Sequence, residues 1–306
     1  MARGYVTVLL LVAGIWGASF MFIKVAVDEI EPIPLMAARL LLAAAVLVPF
    51  LVVRRGARDA FGALRDGGLG ILFLGFANSA LPFTLIAWGE QHVSSSVAAI
   101  ANAPVPIFVA LLAIKFRRSE RVTGLRLAGV VLGFVGVGIL VGFDPEGGWW
   151  AAAGTLAVVA AALLYAIANL YAQGRFADTS ADVIATGATL TGGLMLLPLA
   201  LFQLPESTPS AEALGSVAAL GVLGTALALL FYYRMLTSYG ATRASLVTYL
   251  IPPVAVLYGV TILGEELTLG AVLGLVCILG GVALGSGVFR YARRRPTEVA
   301  PATPRS

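Results

Sequence analysis

The sequence predicts an all-α membrane protein: ten transmembrane helices in two inverted five-helix repeats, with both termini in the cytoplasm. Composition, helix-length apolar runs and the distribution of basic residues predict it together. Of 306 residues, 59% are hydrophobic and 12% are charged, about half the charge of a soluble domain, and the mean hydropathy is +0.96. Runs of about 20 apolar residues, the length that spans a bilayer, recur almost from end to end. The net charge of +4 does not point to nucleic acid, because the basic residues sit in short loops rather than on one face.

The runs place helices at 5–27, 33–53, 67–88, 93–115, 123–142, 149–173, 182–203, 213–236, 240–263 and 268–289. Turn-forming and charged clusters separate them, among them Asp28-Glu29-Ile30-Glu31-Pro32, Arg54-Arg55-Gly56 and Asp144-Pro145-Glu146-Gly147-Gly148. The first run is longer than the core of a signal peptide and no clear cleavage site follows it, so it reads as a retained helix. Cys277, the single cysteine, lies inside an apolar run and excludes an internal disulfide.

Counting loops alternately from the N-terminus, one side collects every Lys and Arg except Lys24 and Arg39. The other side holds Asp28, Glu29, Glu31, Glu90, Asp144, Glu146, Glu206, Glu212, Glu265 and Glu266. The positive-inside rule then puts both termini in the cytoplasm, and an odd number of spans would break the partition. The halves resemble each other at an offset of about 145–149 residues: Ser119-Glu120-Arg121-Val122-Thr123 matches Gly264-Glu265-Glu266-Leu267-Thr268, Gly129 and Gly136 match Gly274 and Gly281, Pro49 matches Pro198, and Trp16 matches Tyr165. Because five is odd, the second copy enters the membrane from the opposite side, which makes an inverted repeat of the kind common among transporters. The expected units are 1–145, 146–290 and a basic, proline-rich tail at 291–306, expected to be disordered in the cytoplasm and to touch anionic lipid heads.

Several of these residues carry a resemblance. Trp16-Gly17-Ala18-Ser19-Phe20 followed by Lys24, Ala38-Arg39-Leu40 in the second helix, and a proline in the fourth helix of each half ahead of an acidic turn and a glycine-rich fifth helix resemble the EamA-like family of the drug/metabolite transporter superfamily. The resemblance covers about 5–289. One departure is the turn after Pro104-Val105-Pro106, where Lys115-Phe116-Arg117-Arg118 is more basic than the family's usual Leu-Gly-Glu-Arg. The resemblance implies a ten-helix secondary carrier for a metabolite, with amino-acid export among the family's activities.

Candidate site residues cluster at matching depths. Pro104 and Pro106 sit near the middle of the fourth helix, and Pro252 and Pro253 at the same depth of the ninth. Each lacks an N–H and crowds the carbonyl four residues earlier, so the carbonyls of Ile100, Asn102, Thr248 and Tyr249 are expected to need other partners or to face a cavity. Interrupted helices at corresponding positions point to a carrier's midplane site; an ordinary proline kink is the competing reading. Asn102, Ser245, Thr248 and Tyr249 flank the breaks, and Asn78 in the third helix aligns with Thr225 in the eighth. Trp16, Phe20 and Lys24 share one helix face and align with Tyr165, Asn169 and Gln173, a mixture suited to a substrate with an apolar body and a polar head. Trp88, Tyr232 and Tyr233 lie nearer helix ends, where an aromatic belt competes.

Lys24 and Arg39 are the cations outside the cytoplasmic loops. Lys24 is within helical reach of Asp28, and Arg39 is expected to meet Asp28, Glu31, Glu90 or a substrate anion; for both, a structural ion pair and substrate contact stand as equal readings. An arginine near the bilayer centre costs about 2.5–3.5 kcal/mol on insertion scales, so lipid exposure is not expected. No carboxylate lies mid-helix and His92 is at a loop, so transport is expected to be facilitated, to be exchange, or to couple through mouth carboxylates such as Glu90. The sequence lacks a His-Glu-x-x-His zinc motif, a G-x-S-x-G elbow and a P-loop. No cofactor, metal or catalytic residue is therefore assigned.

The expectation is a carrier in the cytoplasmic (inner) membrane that exports an amino-acid-like or amphipathic metabolite by alternating access. Its partners are a small-molecule substrate and the lipid bilayer, not nucleic acid. A lipid-modifying membrane enzyme and a non-transporting scaffold are the rivals. Gly129 and Gly133 in the fifth helix, and Gly270, Gly274, Gly281 and Gly285 in the tenth, form faces for close helix approach, either to each other or in a homodimer.

Overall fold

The computed structural model describes residues 2–116, 124–142 and 148–285. The expected turns at 117–123 and 143–147 and the tail lie outside them. Every regular element among the described residues is helical: α1 (Ala2–Val27), α2 (Pro32–Arg55), α3 (Ala57–Gly75), a π-helical turn (Phe76–Ala80), α4 (Leu81–Glu90), α5 (Ser95–Asn102), α6 (Val105–Phe116), α7 (Leu125–Gly142), α8 (Gly148–Arg175), α9 (Ala181–Ala200), α10 (Ala211–Gly221), a second π turn (Val222–Leu227), α11 (Ala228–Tyr239), α12 (Ala241–Ala244), α13 (Val247–Ile262) and α14 (Leu269–Gly285). Seven helical stretches are long and apolar enough to cross a membrane, and the apolar helices around α7, α13 and α14 are shorter.

Local chemistry accounts for the ends. Pro32 opens α2, where its missing N–H costs nothing. Ser94 and Ser210 cap α5 and α10 by accepting from the N–H groups of Val97 and Ala213. Gly56 and Gly240 follow α2 and α11 with φ of 82° and 83°, a conformation only glycine adopts without strain.

The structure differs from the sequence reading in three places. The third helix begins at Ala57, ten residues early, and breaks at Gly68 (φ 47°, ψ −135°); the extra segment buries Ala60 while Phe61 stays exposed. The break in the fourth helix falls at Ala103-Pro104 as expected, but its counterpart lies at Ser245-Leu246, upstream of Pro252 and Pro253, which sit inside α13. There the N–H groups of Leu246, Thr248 and Tyr249 donate to carbonyls three residues back, and the Thr248 hydroxyl donates to the Ser245 carbonyl, so the chain relieves the proline constraint by tightening upstream. Finally, the Ile100 carbonyl does not lose its partner, because it accepts from the Ala103 N–H at 3.1 Å.

Helix contacts between residues 2–142 and 148–285 come in reciprocal pairs. α1 packs on α13 and on α10–α11, while α8 packs on α5–α6 and on α4. α3 meets α9 as α10 meets α2; α2 also meets α9, and α7 meets α14. Missing Cβ atoms permit the closest approaches: one added to Gly281 would stand 2.6 Å from the Gly129 oxygen, and one on Gly75 2.9 Å from the Gly192 nitrogen. The glycine faces of α7 and α14 are thus in contact with each other within one chain.

Candidate functional site

Between the two sets of helices lies a cavity of about 390 Å³. Its walls come from α1, α2, the α3–α4 and α10–α11 stretches with their π turns, the α5–α6 break, α8, α9 and α13. A π turn adds one residue to the helical circuit and often marks a functional position. Here the two turns hold Asn78 and Thr225, residues aligned by the repeat, and both side chains line the cavity. The aromatic walls are paired in the same manner. Trp16 packs on Tyr232 with ring centroids 5.2 Å apart, and Tyr165 on Phe83 at 6.4 Å.

Arg39 is the charge in this lining, and it is 6% exposed. Its Nε donates to Thr225 Oγ1 at 2.9 Å, and Thr225 in turn donates to the Leu220 carbonyl at 3.0 Å. The guanidinium carbon stands 4.1 Å over the Phe83 ring. Among the described residues no carboxylate comes within ion-pair distance of Arg39, so the partners expected from the sequence, Asp28, Glu31 and Glu90, do not pair with it. Among the described residues the terminal nitrogens of Arg39, in the cavity lining, have Met36 Sδ, at 4.0 Å, as their one protein acceptor. Asn102 supplies the complement: its buried Oδ1 accepts no hydrogen bond among the described residues. The site thus offers an unpaired cation, an unused acceptor and aromatic faces, a set that can hold an amphipathic molecule with an anionic end and a donor.

Of the candidate binding residues, Trp16, Phe20, Arg39, Asn78, Asn102, Tyr165, Asn169 and Thr248 line the cavity. Lys24, Ser245 and Tyr249 do not. The Lys24 ammonium donates to the carbonyls of Glu90 (2.7 Å) and Val93 (3.2 Å), a structural role, and it does not pair with Asp28. Ser245 is exposed at the α12–α13 break, and the Tyr249 hydroxyl turns away to the Val282 carbonyl on α14 at 3.3 Å. Pro104 is buried beside Asn102, and Pro252 is buried inside α13 while Pro253 is exposed. The sequence reading missed Ser19, Ser79, Phe83 and Thr189 in the lining. Phe83 was detectable, since the 149-residue offset that pairs Trp16 with Tyr165 also pairs it with Tyr232; Ser19, Ser79 and Thr189 carry no signal beyond their neighbours.

The two ends of the helix bundle close differently. At the end of α1 near Val27, Glu265 accepts from the N–H groups of Ser95 (2.7 Å) and Ser96 (3.0 Å) and from the Ser96 hydroxyl, and Glu29 accepts from the N–H and hydroxyl of Ser210, both at 2.6 Å. At the opposite end Asp182 pairs with Arg54 (3.1 Å) and Arg55 (3.2 Å), and Tyr5 donates to the Arg243 carbonyl. The cavity lining reaches toward this second end through Ala172, Ile184 and Tyr233, and Asn169 is exposed.

Comparison with known proteins bears on what such a cavity serves. The EamA-like transporter family matches the chain twice, over residues 3–142 and 152–287. An uncharacterized transporter of Archaeoglobus fulgidus is 28% identical, covering 90% of this chain and 96% of its own. The uncharacterized transporter YoaV of Bacillus subtilis is 25% identical over 92% and 95%. The uncharacterized inner membrane transporter YedA of Escherichia coli is 27% identical over 88% and 86%. A solved crystal structure with 18% identity superposes with a TM-score of 0.66, covering 95% of this chain and 99% of that one, and so shares the fold. With matches spanning both halves and helices of membrane-crossing length, this multi-pass membrane protein belongs to the EamA-like transporter family, a family of transporters and not of enzymes.

Proposed function

We propose that the protein is a secondary carrier of the cytoplasmic membrane that moves a small amphipathic metabolite by alternating access. In this reading the chain crosses the bilayer ten times. The π-interrupted stretches α3–α4 and α10–α11 each count once, as do the broken pairs α5–α6 and α12–α13. The arginine-rich end is cytoplasmic, with both termini there, by the positive-inside rule. Residues 1–145 and 146–290 are inverted repeats. The two family matches, the matched π turns, the reciprocal helix contacts and the mirrored aromatic pairs support this. Inner-membrane placement follows the name of the relative YedA.

The observation that carries the proposal is Arg39. A buried intramembrane arginine is costly and marks a functional position by default. Here it lies in a cavity built from both halves, without a carboxylate partner. The substrate's anionic group would complete it, while its apolar body lies against Trp16, Phe83, Tyr165 and Tyr232. The conformation is the one open toward the cytoplasm, because the lining extends to the arginine-rich end and the acidic end is closed. Export of an amino-acid-like compound is the favoured direction and class. A scaffold without transport gives no reason for an unpaired arginine in a cavity.

The test is uptake and efflux in proteoliposomes across a panel of amino-acid-like and other amphipathic anions, with Arg39→Gln and Asn102→Ala as variants. At least one compound should move in the native protein and slow in both variants. Movement of none, or movement indifferent to both substitutions, overturns the assignment.

A further inference from the structure

Glu90 ends α4 at the acidic end of the bundle, outside the cavity lining. It is 0% exposed, one of the largest side chains fully enclosed. Neither of its carboxylate oxygens has a hydrogen-bond partner among the described residues. Lys24 comes close but spends its protons on main chain, bonding the carbonyls of Glu90 itself and of Val93; no ion pair forms. The groups that act electrostatically on Glu90 are Lys24 from α1, Arg39 from α2 and Glu265 from the loop ahead of α14. On the side of α8 the neighbouring Gly89 lies against Val158 and Gly154. His92, one turn on, is engaged between the Trp88 and Trp150 rings.

A carboxylate enclosed without a protein donor is costly as an anion and far less so as the neutral acid. Nothing in packing demands an acid here, where an apolar side chain of like volume would cost less. Glu90 also sits where the acidic end must part if the cavity is to open there, since Glu265 joins the adjoining α5 to the loop ahead of α14. Resting on the carrier reading, we propose that Glu90 is a proton-operated latch of the acidic end: it takes a proton from the water on that side as the end closes and returns it there when the end opens, so that pH on that side sets how readily the end opens. The freed carboxylate then has the Lys24 ammonium beside it, which stabilises the open state. Arg39 stays with the substrate, so substrate and proton occupy separate sites on the same moving parts.

Two measurements on reconstituted full-length protein test this without a known substrate. Infrared spectroscopy at neutral pH should show a protonated-carboxyl stretch that is lost in Glu90→Gln. An Ile23→Cys reporter in a Cys277→Ala background should react with an impermeant thiol reagent, applied from the acidic side, faster as pH rises. The same reporter carrying Glu90→Gln should keep only the pH dependence that ionisation of the thiol itself imposes, and so should rise less steeply with pH. If Glu90→Gln does not fold, Glu90→Asp should shift the infrared band instead. A band absent from the native protein, a band unchanged by substitution, or a reporter indifferent to Glu90 overturns the proposal. A lost band combined with an immobile substrate panel would leave the proton site standing and sink the carrier reading instead.

Discussion

The two ends of the bundle hold the same helices together by opposite chemistry. At the acidic end the closing carboxylates of Glu265 and Glu29 take main-chain N–H groups at helix starts, charge-assisted bonds that also meet the helix dipole. Around Glu265, Ser95, Ser96 and Glu90 are almost fully enclosed, while the Glu29–Ser210 tie is exposed. At the arginine-rich end the closure consists of ion pairs from Asp182, 6% exposed, to Arg54, 61% exposed, and Arg55, 33% exposed; where such pairs are open to solvent they contribute about 0–1 kcal/mol. On the carrier reading both ends open in turn, and the cavity extends toward the end held by these partly exposed ion pairs. The difference suggests that the resting preference between the two states is set mainly by the acidic end.

The largest expected effect concerns what lies between the ends. Arg39→Ala removes the cavity's cation and the Arg39–Thr225 tie between α2 and the second π turn. Losing one side of a buried charged contact costs about 2 kcal/mol or more, so transport of an anionic substrate should fall about thirtyfold or more. Proteoliposome flux measures this. If Arg39→Lys restores less than half of the rate, the guanidinium's planar donors, and not charge alone, are what the substrate reads.

Next comes the acidic closure itself. Glu265→Ala leaves the Ser95 and Ser96 N–H groups uncapped, at about 1–2 kcal/mol by analogy with lost N-caps. The closed state should lose ground by about tenfold, read as faster labelling of an Ile23→Cys reporter from the acidic side. Gly259→Ala should act in the same direction, because its Cβ would stand 2.3 Å from Glu265 Oε2 and 2.4 Å from Ser96 Oγ. Unchanged labelling in both variants would mean that the carboxylate cap is not what holds this end shut.

How much of this contrast was legible beforehand follows from what each feature depends on. Hydrophobic run length located most of the helices to within a few residues, the start of α3 apart, because helix length and loop composition act on the chain locally. The cavity's aromatic and amide residues were legible through the repeat, since a pair such as Trp16 and Tyr165 is informative where either alone is not. The π turns were not legible: Phe76–Ala80 and Val222–Leu227 have no composition that distinguishes them from α-helix, and the glycines just ahead of them, Gly75 and Gly221, pack closely on α9 and α2, contacts a single sequence does not display. Tyr249 was misplaced for a related reason. The second helix break formed at Ser245-Leu246 rather than at the prolines, and the shift rotated Tyr249 toward α14. Lys24 had a carboxylate in helical reach but found carbonyls at the end of α4, a partner 66 residues away.

A smaller effect probes the Glu29 carboxylate by pH. Hydrogen bonds from the hydroxyl and N–H of Ser210 hold Glu29 below its ordinary value of 4.5. A carboxylate depressed in the folded state stabilises it above the unfolded value and loses that contribution as pH falls through the folded one. The Glu29–Ser210 tie should therefore persist through neutral and mildly acidic buffer and fail only below 4.5. Glu29→Gln should lower the melting temperature slightly at neutral pH, and the two proteins should converge as pH falls below 4.5. A difference that persists unchanged in acid would show that the contact matters through shape and not through charge.

The smallest effect tests the weak end. Arg54→Ala removes one of the two ion pairs to Asp182, whose other arm, Arg55, remains and also donates to Ser180. An exposed pair of this kind contributes less than about 1 kcal/mol. Melting temperature and labelling from the acidic side should both stay near native values, and any small change should vanish at high salt, where exposed charges are screened. A loss as large as that of Glu265→Ala, persisting in high salt, would erase the asymmetry between the ends, because the arginine-rich closure would then rival the acidic one in strength.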